Sequence, residues 1–515
     1  YDGERTFVTY FDDVVIKEVA PARGLTPADY IVTTRGTNDN LFITRGLTFP
    51  AVCVPNSFNF WTASTSYRDG QIYKYQPDSK ITHFISSHQA SFHLGDHGNF
   101  MFMPVNVSAA DATADSLSVG ARARSFDFEG QIARAHYYGV TLDNGVFCEL
   151  TPANHAAAAR FTFPEGQART LAFDCSSGGF NGGRISFARD GSFSAYLDTW
   201  YGAAYGTPGI YVYGRFDAPV KETRTFPGDG IRSCAEFDAP SVTMYLATSY
   251  LSIEQAKKNL AMEIGNSSFD AVRNAAKRTW NSLLGRVKIE GAAPNQLTSF
   301  YSSMYRMLMY PTTLAENVGT KDKPHWVYAS PYTSEPEKPD VKEGVLNTSN
   351  GFWDTYRTAW SAYALLFPDR AGGLIDGITE HYNACGFIPK WVAPAGVECM
   401  VGTSSDVICA DLMLKGIKFN RERAYLAALR NGSCDPLGPF GRPEMFRSRY
   451  KGYGESMGWS WMADNCINDA GIARMAGILG YEDDEAYFDR AAVNYTHMFN
   501  RDIGLGFFMT HYFDG

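Results

Sequence analysis

In the stretch "NTSNGFWDTYRTAWSAYALLFPD", Asn347 to Asp369, an indole, a carboxylate and a guanidinium stand close together as Trp353, Asp354 and Arg357. A flat ring stacks on the apolar face of a sugar, or it fills a core. A carboxylate accepts hydrogen bonds from hydroxyls and fixes a ligand's orientation. At the start of a helix it also simply answers the dipole. Arg357 reads as the i+3 ion-pair partner of Asp354 or as a second ligand contact. Three further groups have the right chemistry. His88, Gln89 and Asp96 lie on a Gly-bearing loop, where they would rim a hollow or close a self-bonded turn. Trp391 follows Pro389 and Lys390 on a loop, as a stacking platform or a core residue. Thr403, Ser404 and Asp406 precede an apolar helix, so they read as caps, with ligand contact second. Glu398, Glu455 and Asp464 are the other loop-near carboxylates of this half, and no spacing among them marks an acid/base pair.

The elements that must hold these groups change character midway. Up to about residue 250 the chain reads as strands. "YVYGRFD" (Tyr211–Asp217) and "VTMYLATSYLS" (Val242–Ser252) are β-branched and aromatic, and turn clusters such as "ARDGS" separate such runs. Many short strands imply a β-sandwich. "SIEQ" reads as a capping box with Ser252 and Gln255. A second helix is expected from Phe269, closed by Gly285. The pair forms a helical linker. From Pro294 on, helical patterns alternate with Gly- and Pro-bearing loops, as in "QLTSFYSSMYRMLMYP" and "DDEAYFDRAAVNYTHMFN". Successive helical hairpins suggest a toroid whose loops line a pit. The expected domains are 1–250, a linker at 251–292 and a helical domain at 293–515.

The 515 residues allow two large domains, with 45% hydrophobic and 20% charged residues. A net charge of −9, without a long basic run, argues against nucleic acid and anionic membranes as partners. No apolar run is long enough for a transmembrane helix. Nine cysteines include no CxxC, so metal knuckles are not expected. Sequons at Asn106, Asn266, Asn347, Asn431 and Asn494 say little about the compartment. No P-loop or G-x-G-x-x-G motif is present. Tyr1 opens without a signal-type leader, and the apolar ending "GLGFFMTHYFDG" suggests that the chain continues.

"GFWDTYRTAWSAYALLFPD" resembles the signature of glycoside hydrolase family 92, the calcium-dependent exo-acting α-mannosidases. Three other stretches are similar to the family in the same order. They are "FPAVCVPNSF", where Ala51 and Asn56 depart from its pattern, "SSHQASFHLGDHGNFMFMP", where His93 replaces a Trp, and "GFIPKW…ECMVGTSSDVICADLMLKGI". The resemblance implies an N-terminal β-sandwich (a supersandwich) followed by an (α/α)6 barrel, incomplete here, with the active site between them. It implies inverting release of terminal mannose, with one carboxylic acid and one carboxylate about 6.5–9.5 Å apart. It also implies Ca²⁺, an exported location (secreted, periplasmic or cell-surface) and a mannose-containing glycan as partner. The pocket would be shaped by Trp353, Asp354, Arg357, His88, Gln89, Asp96, Trp391, Thr403 and Asp406. The family's acid and base segments, and its calcium ligands, are expected beyond Gly515, on a further segment completing the barrel. In "ESMGWSWMADNCINDAG" Ser456 and Asp464 match the family, while Ser460 replaces a Glu and Asn465 an Asp. The alternatives are a hydrolase of mannose-1-phospho-6-mannose caps and an inactive carbohydrate-binding relative. Architecture alone adds a disaccharide phosphorylase.

Overall fold

The computed structural model describes every residue except 1–23, 39–44, 67–71, 74, 98, 176–182, 199–207, 227–231, 334, 398, 434–457 and 510–515. Glu398, Glu455, Ser456 and Gly98 lie outside the described residues.

Two antiparallel sheets build the first half. One runs in the order β1 (Phe60–Ser64), β2 (His83–Ser87), β3 (Met101–Val105), β8 (Thr170–Asp174), β13 (Arg232–Phe237), β12 (Val220–Phe226). The other runs β4 (Ile132–Arg134), β5 (Tyr137–Thr141), β6 (Phe147–Pro152), β7 (Ala156–Thr162), β14 (Ser241–Ser249), β11 (Ile210–Phe216), β10 (Phe193–Leu197), β9 (Gly183–Phe187). A single helical turn, α1 (Val119–Arg122), sits between β3 and β4. Trp61, Phe84 and Phe102 of the first sheet meet Phe161, Phe193 and Val212 of the second in one apolar core.

Strands β1 to β3 are buried along their whole length. Successive side chains point to opposite faces of a sheet, so full burial needs a partner on each side. Trp61 and Phe84 enter the inter-sheet core, while their neighbours Phe60 and Ile85 join the core of the helical half. The first sheet is thus covered by the second sheet on one face and by helices on the other.

Two helices make the join. In α2 (Ile253–Glu263) the Ser252 hydroxyl accepts from Gln255 N at 3.0 Å. The capping box is only half made, because the Gln255 amide turns to Asn259 Oδ1 and Asn317 O. In α3 (Phe269–Leu284) Ser268 caps the start, and Trp280 is buried with its indole N–H donating to Cys53 O at 2.7 Å. The next helix, α4 (Pro294–Met309), begins on a proline, which has no amide hydrogen to leave unsatisfied there. It ties back to the same loop through Tyr305 Oη to Ala51 O at 2.7 Å.

Beyond a short β-rich insert come α5 (Phe352–Thr355), α6 (Ala359–Leu366), α7 (Pro368–Cys385), α8 (Ser405–Leu414), α9 (Arg421–Ser433), α10 (Gly458–Leu479) and α11 (Glu482–Ala492). Two expected helices are interrupted. The Trp353 segment is one turn, broken at Thr358, where φ −130° and ψ −83° leave the helical region. "DDEAYFDRAAVNYTHMFN" stops at Ala492 and ends in a 3-10 turn, Asn494–Met498. Among the described residues no helix is long and apolar enough to cross a membrane. Cys53, Cys148, Cys175, Cys234 and Cys409 are buried free thiols.

Candidate active site

The site is assembled around α5, beside the start of α8 and the second turn of α10. The strand Asn350–Gly351 pairs with Trp391–Val392 and leads directly into α5. Trp391 lies flat over Gly351. A Cβ at residue 351 would stand 2.0 Å from Cε2 of that indole, so only glycine lets the ring come this close. Gly351→Ala is expected to displace the ring and to cost about 1–3 kcal/mol by overpacking. A lowered melting temperature and altered tryptophan fluorescence would show it.

Asp354, one turn into α5, is exposed and makes no ion pair among the described residues. Its surroundings still desolvate the carboxyl enough to raise its pKa, and the nearby indole N–H of Trp391 opposes that rise. Trp391 Nε1 is itself buried, and Asp354 is the acceptor that stands near it among the described residues. Trp353, half buried, donates its indole N–H to Asp464 Oδ2 on α10 at 3.3 Å. Burial raises the pKa of Asp464, while Trp353 and Arg357 pull it back down.

Arg357 does not pair with Asp354. Its Nη2 lies 3.9 Å from Asp464 Oδ1, and its guanidinium rests 4.7 Å from the centre of the Tyr356 ring. The i+3 alignment requires an unbroken helix, and α5 stops at Thr355, so the side chain reaches across to α10 instead. Asp464 is therefore the carboxylate that long-range contacts add to the site. The linear sequence offered one sign of it, its place as a match inside a segment of replaced neighbours.

Other expected residues sit differently. His88, Gln89 and Asp96 are buried, at 2%, 5% and 5% exposure, and do not form an open rim. Asp96 accepts from His88 N and His97 N at 2.7 Å each and from the Ser87 hydroxyl, so it is the hub of the loop. Burial pushes its pKa up to about 7, against those three donors. The loop instead exposes its tip, Phe92 and His93, whose rings touch. Thr403 and Asp406 are also buried: the Thr403 hydroxyl donates to Asp406 Oδ2 at 2.7 Å, and Asn431 of α9 donates to Oδ1 at 3.2 Å. Ser404 is the cap position of α8 but makes no side-chain cap. These residues fix the entry of α8, and Gly402 beside them packs on Asp464 and Asn468.

Ca²⁺ takes about six to eight oxygen ligands. Among the described residues no three His, Cys, Asp or Glu side chains converge to hold a metal. The calcium ligands implied by the resemblance are expected beyond Gly515.

A sheet-rich half is joined to a helical half, with two indoles and two carboxylates gathered beside α5. The model of the glycosyl hydrolase family 92 N-terminal domain matches residues 30–267, and that of the family's catalytic domain matches residues 255–515. The chain belongs to this family. Its structure superposes on the family GH92 inverting mannosidase BT2199 from Bacteroides thetaiotaomicron with a TM-score of 0.85 and 28% identity, over 94% of this chain and 66% of the other. The α-mannosidase BT3965 of the same bacterium shares the fold, with a TM-score of 0.77 and 21% identity, over 93% of this chain and 66% of that one. An uncharacterized secreted glycosidase from Arthroderma benhamiae is 22% identical over 484 residues, 81% of this chain and 57% of its own length. The chain thus spans less than two thirds of these relatives.

Proposed function

We propose that this chain belongs to an exo-acting, inverting α-mannosidase that releases terminal mannose from α-mannosides such as N-glycans or mannans. The observation that carries the reading is the meeting of Trp353, Trp391 and Asp354 at the start of α5, within a chain of family 92. The indoles would stack on the apolar face of a terminal hexose. Asp354, unpaired by any cation among the described residues, would accept from its hydroxyls, and the charged acceptor makes these bonds stronger than neutral ones. Asp464, held by Trp353 and Arg357, would orient the platform from the opposite helix. His88, Gln89, Asp96, Thr403 and Asp406 would act indirectly, by holding the loops beside the pocket. The acid and the base are assigned to no residue of this chain.

The proposed frame is a β-sandwich, a helical linker and an (α/α)6 barrel, in an exported protein. Calcium assistance is part of the proposal, since the family is generally calcium-dependent. The test is mannose release by the full-length protein from α-1,2-, α-1,3- and α-1,6-linked mannobiosides, with the product anomer followed by NMR. β-Mannose is expected as the first product, with activity lost on chelation and restored by Ca²⁺. Absence of release from every α-mannoside would defeat the reading. Retained sugar binding in that case would point to the inactive relative that Ser460 and Asn465 suggest.

A further inference from the structure

A cavity of about 630 Å³ lies along α7 and shares no lining residue with the Trp353 site. Its walls come from Asn56 of the sheet-rich half, the segment around Val345 and Asn347, and the starts of α7 and α9. Two arginines and three acids line it, and their pairing is uneven. Asp369 is held by Arg286 through two bonds, at 2.5 and 2.8 Å. Glu380 and Asp376 are both held by Arg423, at 2.5 and 3.4 Å.

Arg370 is the cation left over. Among the described residues no carboxylate pairs with it, and its one hydrogen bond runs from Nη2 to the neutral amide oxygen of Asn56 at 2.7 Å. Its Nε is buried without a partner. A guanidinium does not shed its proton, so this half-buried charge stays. The first turn of the 18-residue α7 adds the positive end of a helix dipole beside it. A buried charge is costly unless something answers it.

We infer that the α7 groove is a second ligand site, in which Arg370 takes an oxyanion group, phosphate or carboxylate, of a small ligand. A guanidinium fork matches either group, because both present two oxygens in one plane. The cavity is wide enough for a sugar-sized molecule behind that group. The inference does not depend on the mannosidase reading.

Gly373, one turn after Arg370, supplies the test. A Cβ there meets nothing within 4 Å, so a side chain can fill the groove without disturbing the helix. The full-length protein would be titrated calorimetrically with inorganic phosphate, mannose 6-phosphate, glucuronate and neutral mannose. Saturable binding of at least one anionic probe is expected outside the mannose site. Arg370→Gln and Gly373→Glu should each weaken it by about tenfold or more, the latter by placing a carboxylate opposite Arg370. Phosphate binding without glucuronate binding would assign the phosphate class, and the reverse the carboxylate class. Mannose release should stay at the parental level in both variants. If Arg370→Gln does not fold, Gly373→Glu decides alone. Binding that survives Gly373→Glu, or no anion binding by the parent, overturns the inference.

Discussion

An Asp354→Asn variant is expected to fold like its parent and to lose about 10- to 100-fold in kcat/KM on an α-mannoside. The substitution keeps the shape but replaces a charged double acceptor by a neutral group that accepts on one side only. Stability should change by no more than about 0.5 kcal/mol, because the side chain is exposed and pairs with no cation among the described residues. The pH profile supplies a second readout. Burial raises the Asp354 pKa, so as pH falls the parent should lose its acceptor, and show a rising KM, earlier than an ordinary aspartate would. The asparagine variant should lack that acid limb. Equal kcat/KM in parent and variant would remove Asp354 from the pocket.

The largest stability effect is expected at the join between the halves. His155, at the start of β7, donates from Nδ1 to Glu263 Oε1 of α2 at 2.6 Å and from Nε2 to Ala315 O of the helical half at 3.1 Å. The nearest partner of each ring nitrogen is an acceptor, and only the imidazolium donates to both at once. Burial alone would lower its pKa, but the Glu263 carboxylate and then Glu316 outweigh that, and the net shift is upward. Glu316 is fully buried and accepts from Tyr250 N at 2.8 Å and Asn259 Nδ2 at 3.0 Å. His155→Ala leaves both carboxylates without their cation and is expected to cost about 3–5 kcal/mol. A raised histidine pKa gives stability that is complete below the unfolded value of about 6.5 and is lost as pH rises through the folded value. Denaturant midpoints from about pH 5 to pH 9 should therefore fall at the alkaline end in the parent and stay flatter in His155→Ala. The same alkaline fall in both proteins would show that His155 is not the group responsible.

Local rules account for what could be read without coordinates. Ser252 and Ser268 start their helices because a hydroxyl satisfies a first-turn amide on the spot. Pro311 follows directly on the residue that caps α4, because proline has no amide hydrogen to continue a helix. The aromatic runs that became β11 and β14 are strands for reasons of side-chain shape that hardly depend on distant partners. Trp353 and Asp354 read together because they are adjacent, whereas Trp391 joins them only through the pairing of Trp391–Val392 with Asn350–Gly351 in the folded chain.

What failed did so where a partner lies far along the chain. Arg357 has a carboxylate three residues away, yet it reaches one more than a hundred residues distant, because the helix breaks and α10 stands closer. His88 and Asp96 have the composition of a binding loop, but burial converts their polar atoms into the loop's own fastening. Strands β1 to β3 are buried throughout because they are covered on both sides, a fact that depends on helices encoded two hundred residues later. The sequence by itself determined the element types, their order and the family, since caps, turn residues and period act within a few residues. Tertiary structure decided which charges meet, because ion pairs, ring stacking and the desolvation that shifts a pKa depend on distance in space and not on separation along the chain.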